Sequence, residues 1–240
     1  MTDFFRDSYE LGNFSKWEGS DTSSGCTISV VSSQHKHGSY SCEAYIDDAG
    51  KYAYIYGSVS GLNEIYVRMY VRWNTLPSTN KDHYFFALYD ELADNYILAL
   101  GLRNTNDQYY VLVWNDLTSE HYVSSSSISI NSNTWYCWEI RVKRGNTDGE
   151  VEVWFEEESK LSETGKDTDP GAAYGSVITG NWYSEEASTT YIDCFVVSDQ
   201  YIGSEIKIFE DDLESGDLQY WDGTTIDSGC SLTVQSTTKY

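Results

Sequence analysis

Glu64-Ile-Tyr-Val-Arg-Met-Tyr-Val-Arg-Trp73 alternates without a break. Ile65, Val67, Met69, Val71 and Trp73 fall on one side, and Tyr66, Arg68, Tyr70 and Arg72 on the other. A period of two residues marks a β-strand with one face in a core. Trp135-Tyr-Cys-Trp-Glu-Ile-Arg-Val142 repeats the design, with Tyr136, Trp138, Ile140 and Val142 on its core side. Glu150-Val-Glu-Val-Trp-Phe155 is a third such strand, and Gly145-Asn-Thr-Asp-Gly149 before it has the composition of a hairpin loop. Further strands are expected near 26–32, 39–46, 52–59, 83–90, 95–103, 108–114, 120–124, 176–182 and 190–197. The one helical candidate is a single turn at Glu91-Leu-Ala-Asp94. Pro77 and Pro170 fall in loops and leave the ladders unbroken. Many short strands separated by turn signals predict an all-β, antiparallel two-sheet sandwich.

Composition narrows the function. The 240 residues carry 15 Lys+Arg against 38 Asp+Glu, a formal charge of −23. Such a field repels phosphate backbones, so no nucleic-acid partner is expected. It suits an extracellular protein, a cation binder, or both. No apolar run approaches the roughly 18 residues needed to cross a bilayer, so no membrane insertion is expected. With 21 Tyr and 8 Trp the chain is too aromatic for a solvated coil. The opening Met1-Thr-Asp-Phe-Phe5 has no basic stretch followed by an apolar one, so no secretion signal is legible.

An internal repeat sets the domain boundary. Phe5-Arg-Asp-Ser-Tyr-Glu-Leu-Gly12 returns as Phe209-Glu-Asp-Asp-Leu-Glu-Ser-Gly216, and the match continues without gaps to the chain end. Asp7/Asp211, Glu10/Glu214, Trp17/Trp221, Gly25/Gly229, Cys26/Cys230 and Val30/Val234 are among the identities. Residues 1–206 are therefore read as one domain and 207–240 as the start of a second copy. A pair of strands alone is marginal in water. The segment is either truncated or a strand-exchange element that pairs with another molecule's sheet edge, which would build a filament. One unit holds four of the five cysteines, Cys26, Cys42, Cys137 and Cys194, with Cys230 the next copy of Cys26. An even count favours two disulfides in an oxidising compartment, in any of three connectivities, over four buried thiols.

These residues resemble a known family. Phe-x-Asp-x-x-Glu-x-Gly followed by Trp17, then His37-Gly38-Ser39-Tyr40, Asn133-Thr-Trp-Tyr-x-x-Glu139 and Thr190-Tyr-Ile-Asp193, is similar to a concanavalin A-like jelly roll. This group includes laminin-G-like domains, carbohydrate-binding modules and some polysaccharide lyases. The resemblance implies a jelly-roll sandwich over residues 4–203 that binds glycans and holds a structural calcium. On the matching positions the calcium would lie among Glu10, the backbone from Gly38 to Ser41, and Asp193, with Asp7 and Asp47 as further donors. Calcium takes six to eight hard oxygens, and a second acid is common after the Asp193 position, where this chain has Cys194.

A sugar site needs aromatic planes and polar side chains together. The Tyr66/Arg68/Tyr70/Arg72 face offers that mixture, as do Asn181-Trp182-Tyr183 and Asp107-Gln-Tyr-Tyr110. Support for catalysis is thin. Glu139 has no acidic neighbour two residues away, as a glycosidase pair on one strand would require. Gln34-His35-Lys36-His37 holds lyase residue types but reads as a turn, and Glu156-Glu-Glu158 reads as a solvated edge. Asn13-Phe-Ser15 is the one glycosylation sequon. The expectation is a non-catalytic extracellular or cell-surface module that binds a polysaccharide or glycoconjugate and occurs in tandem. The alternatives are a subunit of an extracellular filament or surface layer, and a polysaccharide lyase or glycoside hydrolase.

Overall fold

The structure is a computed structural model and describes residues 3–59, 61–90, 95–171 and 174–203. The helical turn expected at 91–94 and the partial repeat at 207–240 lie outside the described residues. Among the described residues there are fifteen strands. They are β1 (Asp3–Asp7), β2 (Gly19–Thr22), β3 (Thr27–Val31), β4 (Ser41–Ile46), β5 (Ala53–Ser58), β6 (Glu64–Trp73), β7 (Asp82–Asp90) and β8 (Asn95–Thr105). The rest are β9 (Gln108–Asn115), β10 (Glu120–Val123), β11 (Tyr136–Lys143), β12 (Gly149–Phe155), β13 (Glu158–Lys166), β14 (Ser176–Ser184) and β15 (Ser188–Ser198). Among the described residues there is no α-helix, and none long and apolar enough to cross a membrane.

Two antiparallel sheets pack face to face. One has eight strands in the order β13-β12-β11-β6-β15-β4-β3, with β1 paired to β15. The other has seven, in the order β10-β9-β8-β7-β14-β5-β2. Hairpin-connected runs (β11 to β13, β7 to β10) are joined to strands distant in sequence (β6 beside β15, β7 beside β14), and the chain crosses repeatedly between sheets, which makes the sandwich a jelly roll. Register follows burial. Ile140 sits opposite Val67, Val142 opposite Ile65, and Ile192 opposite Val71. The alternating set of β6 (Ile65, Val67, Met69, Val71, Trp73) is fully buried between the sheets, as the pattern required. Trp73, Phe85, Trp138 and Phe155 meet edge-to-face at the centre, at centroid separations of 4.9–6.1 Å.

Three strands escaped the sequence reading: β1, β2 and β13. The last follows directly on Glu156 and Glu157, which adopt φ of 51° and 67° and form a two-residue turn. The acidic run is thus a hairpin tip leading into an edge strand. Glu150 on β12 is paired, 2.8 Å from Arg141 and 2.7 Å from Lys143.

The disulfide expectation is corrected. Cys26, Cys42, Cys137 and Cys194 are all buried free thiols. Cys26 Sγ donates to Asp47 at 3.5 Å and Cys194 Sγ to Asp193 at 3.3 Å, while Cys42 packs in the core. Burial pushes the Cys137 thiol up to about 12 and those of Cys42 and Cys194 well above the ordinary range. Such thiols are unreactive, and they give no support to an oxidising compartment. Cys230 lies outside the described residues.

Candidate functional site

The corner predicted to hold calcium is built differently. Gly38 has φ +65°, and a Cβ there would lie 2.3 Å from the Glu10 carboxylate, so glycine is required. Glu10 accepts hydrogen bonds from the Ser39 amide (3.0 Å) and the Tyr40 amide (3.1 Å). Asp193 accepts from the amides of Lys36 (2.7 Å), His37 (3.0 Å) and Cys194 (2.6 Å). Ser41 Oγ closes the turn on the Gln34 carbonyl at 2.6 Å. The residues singled out do come together, but the turn presents amide hydrogens to both acids where calcium needs carbonyl oxygens. Asp7 is held by the Tyr9 amide and the Trp17 indole, and Asp47 by Lys51. Among the described residues no three His, Cys, Asp or Glu side chains gather as metal ligands. The donor set as placed does not fit calcium; it caps the turn from 34 to 41.

The second face of β6 is also corrected. Arg68, Tyr70 and Arg72 are only 3%, 6% and 7% exposed. Lys36 lies over the Tyr70 ring at 4.9 Å, with His37 edge-on to it. Arg72 donates to Asn74 and Asn133 and stacks on Tyr191. Arg68 donates to the Gly203 carbonyl at 3.3 Å, and the amides of Ile202 and Gly203 donate to Glu139 at 2.7 and 2.9 Å. The turn and the residues after β15 therefore cover this face. Tyr66 is half-buried beside Trp154 and Glu64. Glu139 is a structural anchor, its pKa raised by burial. Period two identifies which side chains share a face, but not whether another segment covers it.

The open aromatic surface is the outer face of the seven-stranded sheet. On β14, Thr179 Oγ1 reaches inward to the Phe85 carbonyl (3.1 Å), and Asn181 Nδ2 reaches the opposite sheet at Ala44 (2.7 Å). Ile178 and Trp182 consequently point out. On β5, Ile55 enters the core and Tyr54 and Tyr56 point out; on β9, Val111 and Val113 enter and Leu112 and Trp114 point out. The floor of this outer face is Ala87, Ala99, Leu112 and Ile178, with Tyr84 buried against them. Around it stand Tyr54, Tyr56, Tyr89, Tyr96, Trp114 and Trp182.

Small residues in the middle and large rings around them make a trough. A cavity of about 400 Å³ is lined by Asp82, Tyr84, Arg103, Trp114, His121, Trp182, Tyr183 and Glu185. A second, of about 320 Å³, involves Asp21, Tyr54, Tyr56, Tyr89 and Ser176 on the same sheet. The rings link them: Tyr84 lies 5.8 Å from Trp182, Trp182 4.7 Å from Tyr96, and Tyr96 5.2 Å from Tyr89. At the far wall Trp114 packs on His121 at 4.4 Å. The polar complement is ordered. Arg103 forks onto Asp82 through Nε (2.9 Å) and Nη2 (2.6 Å), and Glu185 accepts from the Asp82 amide at 2.9 Å. Burial, then the Arg103 charge, lowers the His121 pKa.

Trp182 was expected to bind ligand and does line the groove, from strand β14. Tyr84, Tyr96, Arg103, Trp114 and His121 were missed. Their signal was the recurrence of aromatic residues at outward positions of several strands, which becomes visible only once those strands are neighbours in a sheet.

No family model matches the chain, and neither does any curated protein. Solved structures do resemble it. An endo-β-1,4-glucuronan lyase from the fungus Trichoderma reesei superposes with a TM-score of 0.64 at 12% identity, covering 83% of this chain and 96% of that one. The cellulose-induced protein Cip1 gives 0.63 at 16% identity, covering 83% and 99%. The globular domain of T. cruzi calreticulin gives 0.56 at 12%, covering 83% and 89%. At such identities the likeness is one of fold. The two antiparallel sheets and these superpositions give the chain a concanavalin A-like jelly-roll fold.

Proposed function

We propose that this chain is a non-catalytic glycan-binding module whose site is the outer face of the seven-stranded sheet. The observation that carries the reading is the aromatic trail from Trp114 through Tyr84, Trp182 and Tyr96 to Tyr89 and Tyr54, over a floor of small and aliphatic side chains. Flat rings offer stacking surfaces to the C–H faces of sugar rings, and Asp82, Arg103, Glu185 and Ser176 offer partners for hydroxyls. Two cavities on one sheet, with a run of aromatic rings between them, suit an oligosaccharide lying across the strands better than a single sugar. The similarity in fold to carbohydrate-related proteins is consistent with this. Extracellular or surface placement in a tandem protein is part of the same proposal and rests on the charge and the internal repeat.

A glycan array probed with the whole chain and with Trp182→Ala tests the reading. The wild type should select a polysaccharide class that the variant loses. Equal signals from both proteins on every glycan retained would contradict it.

A polysaccharide lyase is the second reading, because Arg103, His121, Tyr84 and Tyr183 share the groove. A lyase of uronic-acid chains neutralises the substrate carboxylate while a base removes the neighbouring proton. Here the Arg103 guanidinium is already engaged by Asp82. No ultraviolet-absorbing unsaturated product should therefore form on incubation with polyuronates; a product lost in His121→Ala would establish the lyase instead.

A further inference from the structure

We infer that the groove selects a neutral glycan chain and rejects a polyuronate, an inference that rests on the glycan-binding reading and specifies its ligand. The charged groups lining the larger cavity are Asp82, Arg103 and Glu185, together with His121. Among the described residues Arg103 is the groove's one permanent cation, and its Nε and Nη2 are both given to the Asp82 carboxylate. A bidentate pair of this kind is geometrically specific and gives up its partner reluctantly. The Asp82 main chain is in turn locked to Glu185, amide to carboxylate at 2.9 Å and carbonyl to amide at 3.1 Å. The Glu185 charge is thereby fixed at the same corner, where the described lining holds two carboxylates, Asp82 and Glu185, against the single guanidinium of Arg103. Partial desolvation and the Arg103 charge disfavour the protonated form of His121, against the opposing pull of Asp82 and Glu185.

The second cavity has the same sign. Among its described lining residues Asp21 is the single charged side chain, set beside the Tyr54 hydroxyl at 3.5 Å. Both ends of the trail, and the molecule at −23, are therefore negative. A chain carrying a carboxylate on every sugar would place its charges against these acids and in this field. A neutral chain meets the same rings without that penalty, and its hydroxyls can donate to Glu185 and Asp21. Neutral carboxylate-facing hydroxyls are good partners for such acids.

Calorimetric titration of the whole chain with two sets of β-1,4-linked oligosaccharides of equal length tests this. One set is neutral (glucose, mannose, xylose) and the other is uronic (glucuronic, mannuronic). At low salt the best neutral ligand should bind at least about tenfold tighter than any uronate. Added salt should narrow the gap by screening. Asp82→Asn, which releases Arg103, and Glu185→Gln, which removes the fixed negative charge, should each narrow it at low salt, with circular dichroism confirming that each is folded. Uronates binding as tightly as neutral chains to the wild type would overturn the inference and leave the glycan-binding reading standing. An unchanged gap in both variants would overturn its electrostatic cause. Absence of binding by either set would overturn the glycan-binding reading itself.

Discussion

His83 is 1% exposed, neither ring nitrogen has a hydrogen-bond partner, and the closest carboxylate oxygen, on Glu186, is 3.6 Å away. Burial lowers its pKa to about 4, the partial attraction of Glu186 notwithstanding. The folded protein thus keeps this imidazole neutral through a range in which the unfolded chain, near 6.5, takes up a proton. Its contribution is complete above pH 6.5, declines as the pH falls from there, and is lost by about pH 4. Urea unfolding at pH 7 and pH 4.5 should show a loss of roughly 2–3 kcal/mol assignable to this group. His83→Leu should flatten that part of the profile; an unchanged slope in the variant would show that other groups set it. Glu10 gives a second test at this scale. With its carboxylate serving amide hydrogens, calcium and EGTA should leave Tm unchanged. A calcium-dependent rise that Glu10→Gln abolishes would restore the cation site by mass action on the native state.

Individual strands explain what could be read in advance. The strand and core face of β6 were legible because its alternation is unbroken and β11 lies in continuous register with it, while β15 shifts only between Asp193 and Val196. β7 and β14 were legible as strands but not as faces. The register shifts between Tyr84 and Phe86, and again between Thr179 and Tyr183. Each bulge moves the following residues by one position relative to the pleat. Phe85 and Phe86 both enter the core, while Trp182 and Tyr183 both line the groove. A strict period of two cannot assign such pairs, and so most of the groove was invisible in sequence. The hairpin between β12 and β13 offers a stability test. Glu157 sits at φ 67°, where a Cβ is strained. Glu157→Gly should relieve this by about 1 kcal/mol and raise Tm by a few degrees. A fall in Tm would mean that its side-chain interactions outweigh the backbone strain. On β14, half-buried Trp182 contributes mainly to the site, so Trp182→Ala should cost only about 1 kcal/mol while removing binding.

For the whole molecule, the two sheets have different duties. The eight-stranded sheet spends its outer face on its own chain: the 34–41 turn and residues 199–203 are seated there through Asp193, Arg68 and Glu139. The seven-stranded sheet leaves its outer rings open. Fold class followed from sequence because burial enforces period two over many strands. The site did not, because bulges in β7 and β14 blur which residues face outward and only the fold brings β14 beside the β7-to-β10 run. On this reading ligand lies on the second sheet. Indole N–H resonances in a ¹⁵N-labelled sample report it directly, since tryptophans lie on both outer faces and in the core. On titration with the best-binding oligosaccharide, the signals of Trp114 and Trp182 should shift while those of Trp154 and core Trp138 stay fixed. Shifts at Trp154 with Trp114 and Trp182 unmoved would place the ligand on the other sheet and contradict the account.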